Sequence, residues 1–162
     1  MKRKSFPAYY NTFFEKIYRY IFFRVGRKKE LAEDLTSDIF LKAYEHYDTF
    51  DHEKSFSVWI YRIAHNHLID HYKKSKKETV PVEDKEYELG EESKIEKEID
   101  IKLDLEKVSK ILDKIQEKQR ELVIMKYFND LTNREIAQVM SQTEEYIRVL
   151  NHRAIQAIKS HL

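Results

Sequence analysis

The sequence predicts an all-α protein, two small helical domains joined by an acidic linker, the second containing a helix-turn-helix. Three observations carry that prediction. Only two Gly and two Pro occur in 162 residues, too few turn formers for a sandwich or barrel of short strands. Apolar residues recur at spacings of three and four over long stretches, the period of a helix with one buried side. Residues 75–94 break that period with Pro81, Gly90 and a dense acidic run, and hold too little apolar material to bury. The expected divisions are a first domain over 1–76, a linker over 77–100 and a second domain over 101–162.

The first helix is expected from Tyr9 to about Val25, where Tyr10, Phe13, Phe14, Ile17, Tyr18, Ile21, Phe22 and Val25 form a wide apolar stripe. A second begins near Leu31 and runs through Leu35, Ile39, Phe40, Ala43 and Tyr47. Its first turn carries Glu33 and Asp34, where the helix dipole favours anions. A third spans about Ser57 to Lys74, with Val58, Ile60, Tyr61, Ile63, Ala64, Leu68, Ile69 and Tyr72 as its apolar positions. Past the break at 75–94, still within the linker, the period resumes at Ile95 and continues to Phe128.

Composition excludes several classes of function. With no cysteine, a disulfide scaffold, a thiolate metal site and a cysteine nucleophile are all ruled out. No run approaches the ~18 apolar residues of a membrane span, so the expectation is a cytoplasmic protein without membrane insertion. The formal charge of +1 conceals opposed blocks: residues 1–30 hold nine basic and two acidic residues, 31–61 two and seven, 62–77 five and one, and 78–100 three and ten. Such blocks suit a chain that turns basic faces to a polyanion and other faces to a different partner, because steering follows local potential.

The most specific motif is Leu131–Leu150. Thr132 is placed to cap a helix, with Glu135 three residues on completing a capping box. Ala137 is the small residue required where two helices cross closely, and Ile136, Met140, Ile147 and Leu150 fall where they pack the pair together. Thr143, with Glu144 and Glu145 behind it, opens a second helix that runs to about His161. Ser141 stands where this motif commonly has glycine. Glu144, Tyr146, Arg148, Val149, His152 and Arg153 on the second helix are the candidates for a surface that enters a major groove, where arginine pairs with guanine. Arg134 and Thr143 complete that set.

In two blocks the chain resembles a bacterial sigma factor of the extracytoplasmic function group of the sigma-70 family, which keeps regions 2 and 4. Residues Ala32–Tyr44, Phe50-Asp51 and Phe56–Asp70 are similar to region 2; Gln119–Phe128, the helix-turn-helix and Asn151–Ala154 are similar to region 4. The resemblance implies that core RNA polymerase and promoter DNA are partners. The helix at 31–47 would meet the β′ clamp helices through Asp34, Asp38, Phe40, Leu41 and Tyr44, and region 4 would meet the β flap. Arg62, Asn66 and Asp70 lie four apart on one helical side, which matches the family surface for the −10 element. Trp59 and Tyr61 are the aromatics nearest to it, and Lys73 and Lys74 would add phosphate contacts. The −35 element falls to the second helix of the helix-turn-helix. An anti-sigma factor is a further implied partner.

Two other readings compete. An autonomous helix-turn-helix regulator that never joins polymerase accounts for Leu131–Leu150 but gives Asp34–Tyr44 no task. A metal site on His65, His67 and His71 has one pair at the i, i+4 spacing, yet lacks the glutamate that follows the first histidine of the zinc-protease signature. No nucleophile with a base and no phosphate-cradling glycine loop is present, so neither catalysis nor a cofactor or metal is expected of this chain.

Overall fold

A computed structural model describes residues 5–75 and 105–162. The expected linker lies outside the described residues, as do the apolar positions from Ile95 to Leu103. Among the described residues all regular structure is helical: α1 (Phe6–Arg24), α2 (Lys29–Glu45), α3 (Phe56–Ser75), α4 (Leu105–Ile111), α5 (Glu117–Val123), α6 (Asn133–Met140) and α7 (Glu144–Ser160). Short 3₁₀ turns follow α2 and α4, and α5 runs directly into a π turn over Ile124–Phe128.

Pro7 stands at the start of α1, where its missing N–H costs nothing. The helix ends in a reversal in which the Arg27 N–H donates to the Phe22 carbonyl at 2.8 Å, with Gly26 at φ 70° supplying the left-handed residue. The buried side of α1 is Ile17, Tyr20, Ile21 and Arg24. It is rotated from the stripe the period suggested, since Tyr18 and Phe22 are only half-buried. Helix α2 buries Ala32, Leu35, Thr36, Ile39, Phe40 and Ala43 against α1 and α3, and α3 answers with Ile60, Tyr61, Ala64 and Leu68.

In the second unit α5 and α6 pack on α7 around Leu122, Ile136, Ile147, Leu150, Ala154 and Ile158. The helix-turn-helix forms as its signals dictate. Thr132 Oγ1 accepts the Glu135 N–H at 3.1 Å and the Glu135 carboxylate accepts the Thr132 N–H at 3.0 Å, so two otherwise unpaired donors are satisfied reciprocally. Thr143 Oγ1 accepts the Tyr146 N–H at 3.0 Å to open α7. The turn between passes through Ser141 at φ 55°, ψ 46°, the left-handed conformation that glycine adopts freely.

The two units are not separate bodies. α6 packs on α3, the π turn packs on α1, and one continuous hydrophobic cluster runs through both.

Candidate functional site

Three groups of residues stand apart by their surroundings. The first is the outer side of α2. Asp34 and Asp38 are exposed, and beside them Leu41 and Tyr44 remain 58% and 65% exposed, among the largest apolar side chains left in water. Tyr10 of α1, also exposed, adjoins them through Phe40 at a ring separation of 5.1 Å. Phe40 itself is buried against Tyr10 and Phe14, so it supports this surface from beneath and does not present itself to a partner. A contiguous apolar patch among carboxylates is the composition of a protein-binding surface, and carboxylates repel nucleic acid.

The second group is the outer side of α3. Arg62, Asn66 and Asp70 are all exposed, and Lys73 and Lys74 follow them in the last turns. Trp59 is half-buried in a nest of rings, 5.0 Å from Phe50 and 5.5 Å from Phe56 by centroid, with Tyr47 at 6.4 Å. Tyr61 is elsewhere. It is 1% exposed, its hydroxyl takes the Asn129 side-chain N–H at 2.7 Å, and burial pushes its pKa up to about 12. In this arrangement Tyr61 is an internal contact and not part of the exposed surface that the sequence suggested.

The third group is α7 with its turn. Arg148, Glu144 and Thr143 are exposed, as is Arg134 on α6, while Tyr146, His152 and Arg153 are half-buried. The Thr143 oxygen is committed to the cap. Val149 is 7% exposed, so it is withdrawn from the candidate groove-reading set. It stands about 200° round α7 from Ile147, outside the core cluster that holds Ile147, Leu150 and Ala154.

His65, His67 and His71 share no centre. His65 Nδ1 lies 2.6 Å from Glu121 Oε1, whereas His67 Nδ1 lies 2.8 Å from Lys42 Nζ. Among the described residues no group of three or more metal-ligating side chains comes together, and no helix is long and apolar enough to cross a membrane.

A cluster that the sequence reading missed joins the two units. Arg24 of α1 is ion-paired with Glu121 of α5, the two side chains 3% and 2% exposed, and reaches Glu117 at 3.2 Å. Arg24 Nη1 donates to the Tyr20 hydroxyl at 2.9 Å, and that hydroxyl donates to Glu121 at 3.2 Å. Burial works to raise the Glu121 carboxyl, and the Arg24 guanidinium, helped by His65 and Tyr20, overrides it and holds the group below its ordinary value of 4.5. Around this core Asn129 also donates to the Lys16 carbonyl at 2.7 Å, Arg19 donates to the Phe128 carbonyl at 3.3 Å, and the Phe23 and Phe128 rings meet edge to face at 4.6 Å.

Residues 9–78 match the family model for sigma-70 region 2, and residues 111–160 match that for sigma-70 region 4. The chain belongs to the sigma-70 family. Its relatives include the ECF RNA polymerase sigma factor BldN of Streptomyces coelicolor, 32% identical over 160 residues, which is 95% of this chain and 59% of BldN. The chain thus spans about three-fifths of BldN's length. The ECF RNA polymerase sigma factor SigW of Bacillus subtilis is 27% identical over 98% of this chain and 89% of its own. Among solved structures, the sigma factor RpoE of Bartonella quintana, in complex with the anti-sigma factor NepR, aligns with a TM-score of 0.74 at 19% identity, covering 96% of this chain and 94% of that one. At that identity the likeness is one of fold. In family terms α1, α2 and α3 belong to region 2, and α5 to α7 to region 4.

Proposed function

We propose that this chain is a sigma factor of the extracytoplasmic function group, which joins core RNA polymerase in the cytoplasm and directs promoter-specific initiation. The observation that carries this reading is the pair of unlike surfaces on region 2. The acidic and apolar side of α2, with Asp34, Asp38, Leu41 and Tyr44, suits a protein partner; the side of α3 with Arg62, Asn66 and the lysines suits DNA. A regulator that acts on DNA alone has use for the second and none for the first.

In this mechanism α2 docks on the β′ clamp helices. Asn66 and Arg62 then read or grip the −10 element, with Asp70 accepting from a base amine or orienting Arg62. The loop at 51–55, backed by Trp59, holds an unpaired base, and unstacking costs about a few kcal/mol per base, which contacts made only with the open strand offset. Region 4 lies by the β flap and lays α7 in the major groove at the −35 element, with Arg148, His152 and Arg153 as the main contacts, Arg134 on phosphate and Glu144 and Tyr146 at the rim. The chain's own part is assembly; nucleotide addition belongs to the polymerase. An anti-sigma factor is a fitting regulator, since the solved relative RpoE is seen with one.

Run-off transcription with purified core polymerase, with and without this chain, tests the reading beside a gel shift of the chain on DNA alone. The expected result is transcript only when the chain is present and little shift without polymerase. Specific DNA binding by the chain alone, with no transcript, favours the autonomous regulator.

A further inference from the structure

We infer that Arg27, Lys28 and Lys29, in the turn from α1 into α2, extend the basic end of α3 at Lys73 and Lys74 and bind the phosphate backbone of the promoter duplex just upstream of the −10 element. The inference rests on the sigma-factor reading above and adds to it three residues that lie outside α3 and outside the helix-turn-helix.

Position is the first argument. The Tyr72 hydroxyl of α3 donates to the Arg24 carbonyl at 2.8 Å, so the last turn of α3 sits against the end of α1, from which the turn at 25–28 departs. Lys73 and Lys74, next to Tyr72, thus stand at the same end of the bundle as Arg27, Lys28 and Lys29. The loop at 51–55, proposed to hold the unpaired base, adjoins the opposite end of α3, so the promoter strands are still paired where α3 ends. From Arg62 to Lys73 the helix rises about 17 Å, roughly five steps of duplex at about 3.4 Å each. A duplex that follows α3 therefore outruns it within a few base pairs, at the end where the turn lies.

The second argument is unneutralised charge. All five cations are exposed, and among the described residues none of them forms an ion pair. Glu30 and Glu33 follow in α2, and Asp113 Oδ1 stands 4.0 Å from where a Cβ on Gly26 would be, yet these carboxylates pair with none of the five. The start of a helix is also where its dipole disfavours cations, and Arg27 holds φ 62°, a conformation that costs a residue with a Cβ. Neither the helix nor the turn gains from these three cations, so an anion from outside the chain is what accounts for them.

The make-up of the turn selects nucleic acid over protein. Gly26, Arg27, Lys28, Lys29 and Glu30 are all exposed and include no apolar side chain. The exposed large apolar residues of region 2 are Tyr10, in the first half of α1, and Leu41 and Tyr44, in the last turns of α2, all away from the turn. A protein interface draws its energy from aromatic and apolar anchors, whereas a phosphate contact needs only a cation within reach and releases counterions from the duplex. Such contacts carry no sequence information. They hold the paired strands in place while α3 reads and opens the −10 element.

The test is the affinity of holoenzyme, assembled from core polymerase and this chain, for two fluorescent forked promoters. One fork stops at the upstream edge of the −10 element; the other carries about ten further base pairs, one helical turn, too few to include the −35 element. Arg27→Gln with Lys28→Gln and Lys29→Gln should bind the longer fork at least five-fold more weakly than the parent, with the gap narrowing as salt rises, and the shorter fork within two-fold. Arg27→Lys with Lys28→Arg and Lys29→Arg, which keeps the charge, should match the parent on both forks. Far-UV circular dichroism and binding to core without DNA should be the same in all three proteins. Unchanged affinity of the glutamine variant for the longer fork, equal losses on both forks, or weakened binding to core would overturn the inference, the last by assigning the turn to an acidic surface of polymerase. If the parent binds neither fork, the sigma-factor reading fails and the inference with it; if the parent binds and the glutamine variant is unaffected, the inference alone fails.

Discussion

Lys42 of α2 places its ammonium 2.8 Å from the Nδ1 atom of His67 on α3, so the helix proposed to meet polymerase is joined by a side-chain hydrogen bond to the helix proposed to meet DNA. An ammonium can only donate, so the ring must accept at Nδ1 and is neutral there. Asp38 lies 3.9 Å from the other ring nitrogen. Burial lowers the His67 pKa below its ordinary 6.5, Lys42 lowers it further, and Asp38 pulls the other way.

That arrangement gives a pH dependence with a fixed sign. A histidine whose pKa is lower folded than unfolded binds fewer protons in the native state, so its contribution is complete above pH 6.5 and is lost as pH falls through the folded value. The melting temperature should therefore drop between pH 7 and pH 5 more in the parent than in His67→Gln. Removing the ammonium by Lys42→Met should raise the His67 titration midpoint in a ring NMR titration. An unmoved midpoint would mean that Lys42 does not face the ring in solution.

Ser141 sits at φ 55°, ψ 46°, a conformation that costs a residue with a Cβ about 1 kcal/mol or more and costs glycine nothing comparable. Ser141→Gly should raise stability by about 1 kcal/mol, less the extra chain entropy that glycine brings to the unfolded state. Urea unfolding reads this as a higher midpoint with an unchanged slope. A lower midpoint would show that the serine side chain contributes something that offsets its strain.

The caps make the opposite prediction. Thr132→Ala removes the acceptor for the Glu135 N–H and dissolves the capping box, at about 1 kcal/mol. Thr132→Ser should recover most of that loss, since it keeps the oxygen. Both variants leave α3 untouched, so promoter opening by the assembled polymerase should change less than stability does. An alanine variant as stable as its parent would show that the box is frayed in solution.

The helices and the turn motif were legible in the sequence because their signals are local. Thr132 with Glu135 and Thr143 ahead of two glutamates state their caps within four residues, and the period places α1, α2, α3 and α7 within a few residues of where they stand. The closure of region 4 on region 2 was not legible, because Arg24 and Glu121 are far apart in sequence and a charge on a helix reads as surface. One signal was present. Glu121 precedes the unbroken apolar run Leu122–Met125, and Arg24 closes the aromatic stretch from Tyr18 to Phe23, and opposite charges set in apolar surroundings are candidates for each other. Tyr61 was placed on an exposed side for a related reason: residue type suggested a role, whereas the phase of the helix, fixed only by the packed neighbours, decided the direction.

The polymerase-binding assignment stands or falls on Asp34 and Asp38. Both are exposed, and because α2 begins at Lys29 and not near the expected Leu31, Asp34 is not in its first turn and neither residue supports the fold through a cap or the helix dipole. Replacing Asp34 should move stability by no more than about 0.5 kcal/mol, as is usual for surface positions, while replacing Asp38 also removes the carboxylate 3.9 Å from His67. The double change Asp34→Lys with Asp38→Lys reverses the local field of α2 while leaving Leu41 and Tyr44 in place. If α2 meets a basic surface on polymerase, binding to core should fall at least ten-fold in a pull-down or by anisotropy, with the loss mainly in association rate and growing at low salt. Leu41→Ala with Tyr44→Ala should also weaken binding, but with little salt dependence, because it removes apolar contact and leaves the field intact. Retained binding in both variants would move the polymerase contact off α2 and leave the exposed Leu41 and Tyr44 to another partner.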